Sequence, residues 1–501
     1  MIGSAWMVGA ALVMQVPPPQ EATARGVELR RQRQAIRGRE AEQLKALADR
    51  LVEGGRRKEA DAVRARIEPA PPPDGPTRFV RLPEVVPARN DAEAPARSEL
   101  GPIRAAAADA LFELAERAAA ADPRHYALAD ECLRAVLDRQ PDHPEARRLL
   151  GSVPHEGGWA TPYAVRRKRD GMTCDPTYGW VDASWIEHLE KGELPAPRSR
   201  GPKQVRWLPA VEANRLHGAW EDRWIISTEH FEIQADVPLS EAIAFGRQIE
   251  AFHQLFFALL ADVIGGNSPL ARRFRDKTMT GEPRLDPHVI FYFASKQEYV
   301  DYLRRLTGED LEQSLGYYDP PKPPRKRAPA SFFRDKGSRL PDTATLYHEV
   351  SHQLLFESAG PSKYERNVGN FWVFEGLGTY FETLTVAPDG SLSIGGLVGP
   401  RIEEARRRLV QDGEFIPIAR FVRLNQARFN DRDGVHLRYQ EAIALAVFLM
   451  QSHDRQYREP FLDYAKDAYQ GRLKLYSGRS LEDRLGVPYA TLDAQFLAFL
   501  K

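Results

Sequence analysis

The spacing of apolar residues predicts a helical N-terminal part. Between residues 28 and 66 the chain is rich in Arg, Glu, Ala and Leu, and Leu44, Leu47 and Leu51 recur at helical spacing. This pattern predicts a charged helix or a helical hairpin. Amphipathic helices are also predicted at residues 105–121 and 126–139, and another helix begins at Pro144.

The helices at residues 105–121 and 126–139 form a predicted hairpin with a repeat-like end. Residues 129–146 resemble the second half of a tetratricopeptide repeat, including its closing proline at Pro141. A plain helical hairpin that packs on a neighbour explains the same residues, because a stable repeat array needs three or more units. A hairpin of either kind could bind a protein partner.

Two segments lack a regular period. Residues 69–100 are rich in Pro and Ala, which is typical of a linker. Residues 153–222 are irregular and rich in tryptophan, and we expect a connector that packs on its neighbours without chemistry of its own. The basic run at residues 166–169 is typical of a solvated face. The tryptophans of the connector are Trp159, Trp180, Trp185, Trp207 and Trp220.

From Trp224 onward the pattern predicts strands and helices together, and then helices only. Strands are predicted at residues 224–234, 287–293, 316–319 and 330–335, with helices at 240–260 and 296–306. Later helices are predicted at 375–384, 401–410, 436–450, 457–469 and 489–500. This order indicates an α+β domain over residues 223–501, preceded by an all-α hairpin region at 101–152.

Length, charge and cysteines limit the classes of protein that fit. A chain of 501 residues is expected to form two or three domains. Its 70 basic and 70 acidic residues give a net charge of zero, so composition does not favour nucleic acid or an anionic membrane as a partner. Cys132 and Cys174 are too few for a cysteine zinc site or a disulfide framework; they could pair, or remain two separate thiols.

The N-terminal sequence predicts that the protein is exported. Residues 2–16 form an apolar run that is too short to span a bilayer and has the length of a signal-peptide core. Residues 22–24, Ala-Thr-Ala, offer a small-residue cleavage site. We therefore expect a signal peptide at residues 1–24, a charged helical segment at 25–68, and a secreted or periplasmic protein, unless the run is retained as an anchor. No other segment is predicted to be an integral membrane span.

The candidate chemistry lies in residues 345–355, where His348, Glu349 and His352 form an H-E-x-x-H pattern. On a helix both histidines leave the same face, which is the spacing that two zinc ligands need. Glu349 lies beside the first ligand, where a carboxylate can take a proton from water. A chance match on an ordinary helix is the alternative. The apolar neighbours argue against it, because burying these polar groups is costly unless they are satisfied.

A catalytic zinc site takes three protein ligands, so a third is expected nearby. Glu375 follows His352 after enough chain for a helix end, a loop and a return, and Gly376 and Gly378 would let the second helix approach the first closely. Glu382 is the competing candidate. It lies two turns further along, and we expect it to be structural.

These motifs resemble a known group of enzymes. Residues 348–352, His-Glu-Val-Ser-His, followed by residues 375–382, Glu-Gly-Leu-Gly-Thr-Tyr-Phe-Glu, are similar to the gluzincin metallopeptidases of the thermolysin-like zincin clan, and most of all to peptidase-MA-like families. The resemblance covers residues 224–501. It implies a zincin-like domain with a small mixed sheet, an active-site helix and a helical C-terminal subdomain.

The resemblance also implies roles for single residues. His348, His352 and Glu375 would bind Zn²⁺, and Glu349 would be the general base and then the proton donor to the leaving amine. The strand at residues 330–335 would be the edge strand that pairs with an extended peptide. A tyrosine or histidine of the C-terminal helices would stabilise the oxyanion, with Tyr439 the first candidate and His436 the second.

Two details bear on the surroundings of this site. In thermolysin-type sites an acid one turn after the third ligand orients the first histidine, and here that position is Thr379, a weaker acceptor. Tyr439 fits a helix-packing tyrosine as well as an oxyanion donor. The histidines outside the motif, His230, His253 and His288, are expected to be satisfied structural residues.

The sequence thus predicts a zinc metallopeptidase that acts on a peptide or protein substrate. Two alternatives remain open. The chain could be a non-catalytic scaffold that binds a partner through its helical hairpin, or a zinc hydrolase of a non-peptide amide, since the metal chemistry would be the same.

Overall fold

A computed structural model describes residues 19–67, 74–88, 97–197, 205–279, 286–321, 327–335, 342–360, 368–473 and 480–501. Most of the predicted signal peptide, residues 1–18, lies outside these ranges, as do residues 68–73 and 89–96 of the predicted linker. The described chain combines many helices with small sheets, which confirms the predicted α+β class.

The N-terminal part is helical, as its apolar spacing predicts. Leu44, Leu47 and Leu51 are buried between the first two helices, which form the predicted hairpin. Leu111 and Leu114 are buried where the next two helices pack together. The elements are α1 (Pro19–Glu53), α2 (Arg57–Arg64), β1 (Thr77–Phe79), β2 (Val85–Val86), α3 (Arg97–Ala120), α4 (Tyr126–Arg139) and α5 (Pro144–Leu149).

The predicted irregular connector is more regular than its sequence suggests. It folds into short hairpins and helices, and its tryptophans pack between them: Trp185 meets Trp207 edge-on, with ring centroids 5.4 Å apart. The elements are β3 (Val153–His155), β4 (Gly158–Ala160), α6 (Pro162–Arg169), β5 (Met172–Asp175), β6 (Gly179–Asp182), α7 (Ile186–Glu190), β7 (Glu193–Pro195), β8 (Trp207–Pro209) and α8 (Ala210–His217).

A five-stranded mixed sheet forms the centre of the second half. Its elements, with the helices between the strands, are β9 (Trp224–Ser227), β10 (Phe231–Ala235), α9 (Leu239–Leu259), α10 (Ala261–Ile264), α11 (Pro269–Arg275), β11 (His288–Phe293), α12 (Lys296–Thr307), β12 (Gly316–Tyr317) and β13 (Ala330–Phe333). The strand order is β12-β13-β11-β10-β9. The β10, β11 and β13 strands are parallel to one another, and β9 and β12 are antiparallel to their neighbours.

This order corrects the prediction for residues 330–335. Strand β13 is not an edge strand, because it lies between β11 and β12 and all four of its residues are buried. The edge is β12, where Gly316 pairs with Phe332 and Tyr317 with Ser331. The sequence predicts both strands, at residues 316–319 and 330–335, but their order in the sheet depends on the pairing of β13 with β11, which a local pattern does not show.

Helices follow the sheet to the end of the chain, with one small hairpin among them. The elements are α13 (Thr343–Ala359), α14 (Trp372–Phe381), β14 (Thr385–Val386), β15 (Leu392–Ile394), α15 (Pro400–Arg406), α16 (Ile418–Phe421), α17 (Gln426–Phe429), α18 (Val435–Arg455), α19 (Arg458–Tyr469), α20 (Leu481–Leu485) and α21 (Tyr489–Phe499). The helical path of α18 is broken near its end at His453 and Asp454.

The N-terminal helices are held against the C-terminal ones by buried charges. Arg30 of α1 donates to Glu459 of α19 and to Glu131 of α4, and Arg458 of α19 donates to the same Glu131 at 2.6 Å. The predicted linker also takes part, since β1 pairs with β15 and β2 with β4. The hairpin of α3 and α4 is therefore packed into the molecule along its apolar face.

No single helix of the described residues is long and apolar enough to cross a membrane. Among the described residues, one bent pair of helices, Leu239–Leu259 and Ala261–Asn267, which meet at 68°, reaches the required length and apolar composition when the two are taken together.

Candidate metal centre

The H-E-x-x-H residues lie on α13, as predicted. Asp342 caps the helix by accepting from the Thr345 N–H at 2.8 Å, and Gly360, with a φ of +82°, ends it. Buried apolar residues fix one face of α13 in the core, so that the other face presents the histidines. The buried apolar residues are Leu346, Tyr347, Val350, Leu354 and Leu355.

The two histidines of the motif converge. His348 and His352 have ring centroids 4.8 Å apart and ring planes at 75°, and their Nε2 atoms are 3.1 Å apart. Crossed planes let both nitrogen lone pairs point at one position. The spacing i, i+4 on a single helix is enough to produce this arrangement.

Glu375 of α14 completes a three-sided cluster. Its Oε2 is 3.5 Å from Nε2 of His348 and 3.9 Å from Nε2 of His352. The glycine at 378 is what allows the two helices to come so close. A Cβ there would stand 3.0 Å from Nε2 of His352 and 3.1 Å from Cε1 of His348, tighter than ordinary contacts.

The geometry of the three donors fits a zinc ion. Zn–N and Zn–O bonds of about 2.0–2.1 Å place two tetrahedral ligand atoms about 3.3 Å apart. The three distances between the donor atoms, 3.1, 3.5 and 3.9 Å, bracket that value. Two imidazole nitrogens and one carboxylate oxygen are also the donor set of catalytic zinc sites of the His₂Glu type. The residues present therefore fit the metal that the sequence predicts.

Glu382 orients the first histidine, which corrects the expectation for Thr379. Oε1 of Glu382 is 3.0 Å from Nδ1 of His348, and Nε of Arg401 donates to Oε2 of Glu382 at 2.6 Å. The Thr379 hydroxyl instead donates to the backbone carbonyl of Glu375 at 2.7 Å. The acid thus comes two turns after Glu375 instead of one, and a carboxylate in this place fixes the imidazole ring.

The charges around the histidines favour a cation. Burial lowers the pKa of His348, but hydrogen bonds with Glu375 and Glu382 and the nearby charge of Glu349 outweigh it and raise this pKa to about 10. Burial and the charge of His348 lower the pKa of His352 to about 4. The raised pKa of His348 shows that the surrounding carboxylates favour positive charge at this position, where a divalent ion would take the place of the proton.

Glu349 lies beside the three candidate ligands and is not one of them. Burial, opposed by the charge of His348 and reinforced by that of Glu375, raises its pKa to about 7. The backbone N–H of Tyr318, directly after β12, donates to this carboxylate. A carboxylate that binds a proton near neutral pH, held by a fixed donor, suits the role of a general base that later acts as an acid.

Of the two candidates on α18, the structure brings Tyr439 to the cluster. Burial and the neighbouring Glu375 carboxylate raise the pKa of the Tyr439 phenol. The ring packs edge-on against Phe429 at 5.2 Å, and the Arg401 guanidinium lies 5.6 Å above it. His436 lies one turn earlier with an exposed side chain. Tyr439 therefore packs between helices and also contacts a candidate ligand.

The sequence did not predict two residues of this site, Arg401 and Tyr318. Arg401 connects Glu382 to the Tyr439 ring from α15, and Tyr318 reaches Glu349 through its backbone. Neither contact leaves a local signal, since each joins separate elements. Glu382 did leave a signal in the local sequence, because position i+7 from Glu375 returns to the same helix face after two turns.

Of the three histidines discussed outside the motif, His230 and His288 have hydrogen-bond partners in the structure. Nδ1 of His230 is 2.8 Å from Oε2 of Glu250, and Nδ1 of His288 is 2.5 Å from Oε2 of Glu357. His230, Glu250 and His253 also bring donor atoms within 4.8 Å of one another. Their two imidazoles stack face to face, however, with planes at 17°, so the lone pairs run side by side and do not converge.

Comparison with known proteins adds one finding. A family model described as a protein of unknown function (DUF1570) matches residues 342–469. No curated protein and no solved structure matches the chain. The matched segment runs from the cap of α13 to the end of α19 and so contains the three candidate ligands, Glu349 and Tyr439.

Proposed function

We propose that the protein is a zinc-dependent metallopeptidase with a zincin-like domain. The observation that carries the proposal is the convergence of His348 Nε2, His352 Nε2 and Glu375 Oε2 within one small space, with Glu349 beside them. Zn²⁺ bound there would polarise a carbonyl group and acidify a water molecule.

Glu349 would move the proton. Its carboxylate oxygen accepts a proton from the attacking water, whose oxygen bonds to the carbonyl carbon. It then donates that proton to the leaving nitrogen as the C–N bond breaks. The products are a carboxylic acid and an amine. The position of the Glu349 carboxylate beside the three donor atoms supports both halves of this exchange.

Tyr439 would bind the developing oxyanion. Its hydroxyl lies near Glu375 at the same cluster, and the Arg401 guanidinium above its ring favours negative charge nearby. A donor that points at the position where charge develops stabilises the transition state more than the ground state.

The substrate backbone would pair with β12. This strand is the edge of the described sheet, and it lies over the start of α13: a Cβ at Gly316 would come 2.7 Å from Cγ2 of Thr345. Tyr318, the next residue after β12, already contacts Glu349. An extended peptide added to this edge would therefore run past the general base, which is the mode of β-strand addition.

The peptidase, the hydrolase of a non-peptide amide and the non-catalytic scaffold predict different results in one experiment. Purified full-length protein and a Glu349→Gln variant would be incubated with a proteome-derived peptide library and, separately, with non-peptide amides such as cell-wall amides. We expect peptide cleavage by the wild type only. Cleavage of non-peptide amides alone would support the other hydrolase, and no cleavage by a zinc-loaded wild type would support the scaffold.

Export remains a proposal from the N-terminal sequence alone.

The hairpin of α3 and α4 gives the scaffold alternative little support, because its apolar face is buried within the molecule.

A further inference from the structure

A cavity of about 370 Å³ lies beside β9, at the opposite edge of the sheet from β12. Its wall is formed mainly by the segment from α6 to β6, strand β9 and helix α9. Pockets of this volume hold small organic molecules in other proteins. No residue of the candidate metal centre lines the cavity, so the two sites are separate.

Aromatic and aliphatic side chains make up the larger part of this wall. Tyr163 meets Trp180 edge-on, with ring centroids 6.4 Å apart and planes at 86°. Ile225 of β9 is 62% exposed, so the apolar lining of the cavity reaches solvent. The aromatic residues of the wall are Tyr163, Tyr178, Trp180, Trp185 and Trp224.

The charges of the wall cancel. The wall contains three arginines and three carboxylates, namely Arg81, Arg167, Arg247, Glu84, Asp182 and Glu250. A charged ligand would therefore meet no excess of the opposite charge. Because burying a charge without a partner is costly, this balance favours an uncharged ligand.

Polar groups of the wall bond to the protein itself or are covered by it. Glu84 accepts a hydrogen bond from Nε1 of Trp180 at 2.8 Å. The Tyr163 hydroxyl donates to the backbone carbonyl of Ser227 at 3.1 Å. The indole N–H of Trp224 is buried, so a ligand in the cavity does not reach it. The surface that remains for a ligand is mainly apolar.

The volume of the cavity limits the size of the ligand. A dry apolar cavity of about 150 Å³ holds one benzene ring. The cavity beside β9, at about 370 Å³, therefore has room for two joined rings. Aromatic rings suit this wall, because ring pairs in offset or edge-on contact gain more than their buried area alone provides.

We propose that this cavity binds a small uncharged molecule with two aromatic rings. The rings pack against the tryptophan, tyrosine and isoleucine side chains of the wall, and no charge is buried. This binding site does not depend on the proposed peptidase activity.

A titration with prodan tests whether the site exists. Prodan is an uncharged naphthalene dye whose emission moves to shorter wavelength in apolar surroundings. The full-length protein is used with EDTA present, so that no probe binds through zinc. We expect saturable binding of one dye molecule per chain. Absence of saturable binding overturns the proposal.

Three naphthalenes that differ in charge test the ligand class by displacing the dye. The probes are 2-naphthylmethanol, which is uncharged, 2-naphthoate, an anion, and 2-naphthylmethylamine, a cation at neutral pH. The alcohol should displace the dye at a concentration at least about tenfold lower than either charged probe, because neither charge finds an unmatched partner in the wall. Displacement by a charged probe at an equal or lower concentration overturns the uncharged class.

The reactivity of Cys174 shows whether the alcohol binds in this cavity. Cys174 belongs to the wall and is exposed, whereas Cys132 is buried. At about ten times its dissociation constant, 2-naphthylmethanol should slow the alkylation of Cys174 by iodoacetamide about tenfold, because few chains remain empty. Mass spectrometry of the modified peptide measures the rate. An unchanged rate places the binding elsewhere and overturns the proposal.

A matched pair of variants gives a second assignment. Ile225→Glu introduces a charge into the wall at an exposed position and should weaken dye binding at least about tenfold. Val211→Glu makes the same change at a residue that is 85% exposed and lies outside the wall, so it should bind as the wild type does. Equal binding by the two variants overturns the assignment. If Ile225→Glu does not fold, the alkylation of Cys174 in the wild type decides.

Discussion

Oε1 of Glu382 lies 3.0 Å from Nδ1 of His348, two helical turns beyond Glu375. This contact fixes the His348 ring so that Nε2 faces His352 and Glu375. The other carboxylate oxygen of Glu382, Oε2, accepts a hydrogen bond from Arg401, so the Glu382 side chain is itself fixed in place. The support of the candidate metal centre therefore comes from Glu382, at the C-terminal end of the helix that carries Glu375, and not from Thr379, one turn after Glu375.

Glu382→Gln should weaken zinc binding by about 10–100-fold, the usual effect of removing a carboxylate that supports a histidine ligand. The measurement is a competition titration against a chromophoric chelator. Thr379→Val is the control, because the Thr379 hydroxyl bonds only the carbonyls of its own helix. The opposite ranking of the two variants would contradict the role given to Glu382.

Gly378→Ala should weaken zinc binding with the fold intact. The new methyl group would lie 3.0 Å from His352 Nε2, so the imidazoles or α14 must move, at a cost of about 1–3 kcal/mol. Gly38→Ala is the matched helical control, because nothing lies within 4 Å of a Cβ at Gly38. Circular dichroism would check the fold, and the same chelator competition would report the affinity. Unchanged affinity in Gly378→Ala would show that the helices need not approach so closely.

Tyr439→Phe should lower kcat by about 10²–10³-fold and leave the zinc content unchanged, because an oxyanion donor acts in the transition state. The measurement combines steady-state kinetics on a cleaved peptide with metal analysis of the same sample. His436→Ala on the same helix serves as the control, and its kcat should stay near that of the wild type. Loss of activity in His436→Ala alone would reverse the assignment.

Asp262 should make the free energy of unfolding fall as the pH rises from about 4 to 7. The Asp262 carboxylate accepts from the Tyr126 N–H, and burial raises its pKa to about 7. Because the folded state keeps a proton that the unfolded state releases near pH 4, folding binds more protons in this window. Stability then falls by up to about 1.4 kcal/mol per pH unit.

Asp262→Asn keeps an acceptor for Tyr126 and removes the titration. Urea unfolding of both proteins at pH 5 and pH 7 measures the effect, with EDTA present because zinc binding also depends on pH. The variant should lose less stability than the wild type between these values. If the free energy of unfolding falls by the same amount in both proteins, Asp262 does not titrate in this range.

Most long elements were predictable because each has a strong local period. Helix α4 has the predicted bounds, residues 126–139, and α9, β11, α12 and α18 begin within two residues of the predicted positions. The convergence of His348 and His352 was also predictable, because it follows from i, i+4 spacing on one helix. Glu375 could be chosen because Gly378 lies one turn beyond it and allows close helix packing.

Other features depend on contacts between distant parts of the chain. The edge position of β12 follows from the pairing of β13 with β11, far away in the sequence, and Tyr318 reaches Glu349 only in the folded state. Strand β1 forms within the predicted linker because it pairs with β15, which lies far away in the sequence.

The zinc content of the purified full-length protein, measured by mass spectrometry of the metal, tests the central claim most directly. The protein would be compared with His348→Ala, Glu375→Ala and Glu349→Gln after removal of loosely bound metal. We predict close to one zinc per chain in the wild type and in Glu349→Gln, and strong loss in the two ligand variants. A wild type without zinc, or one whose zinc survives both ligand substitutions, would contradict the account.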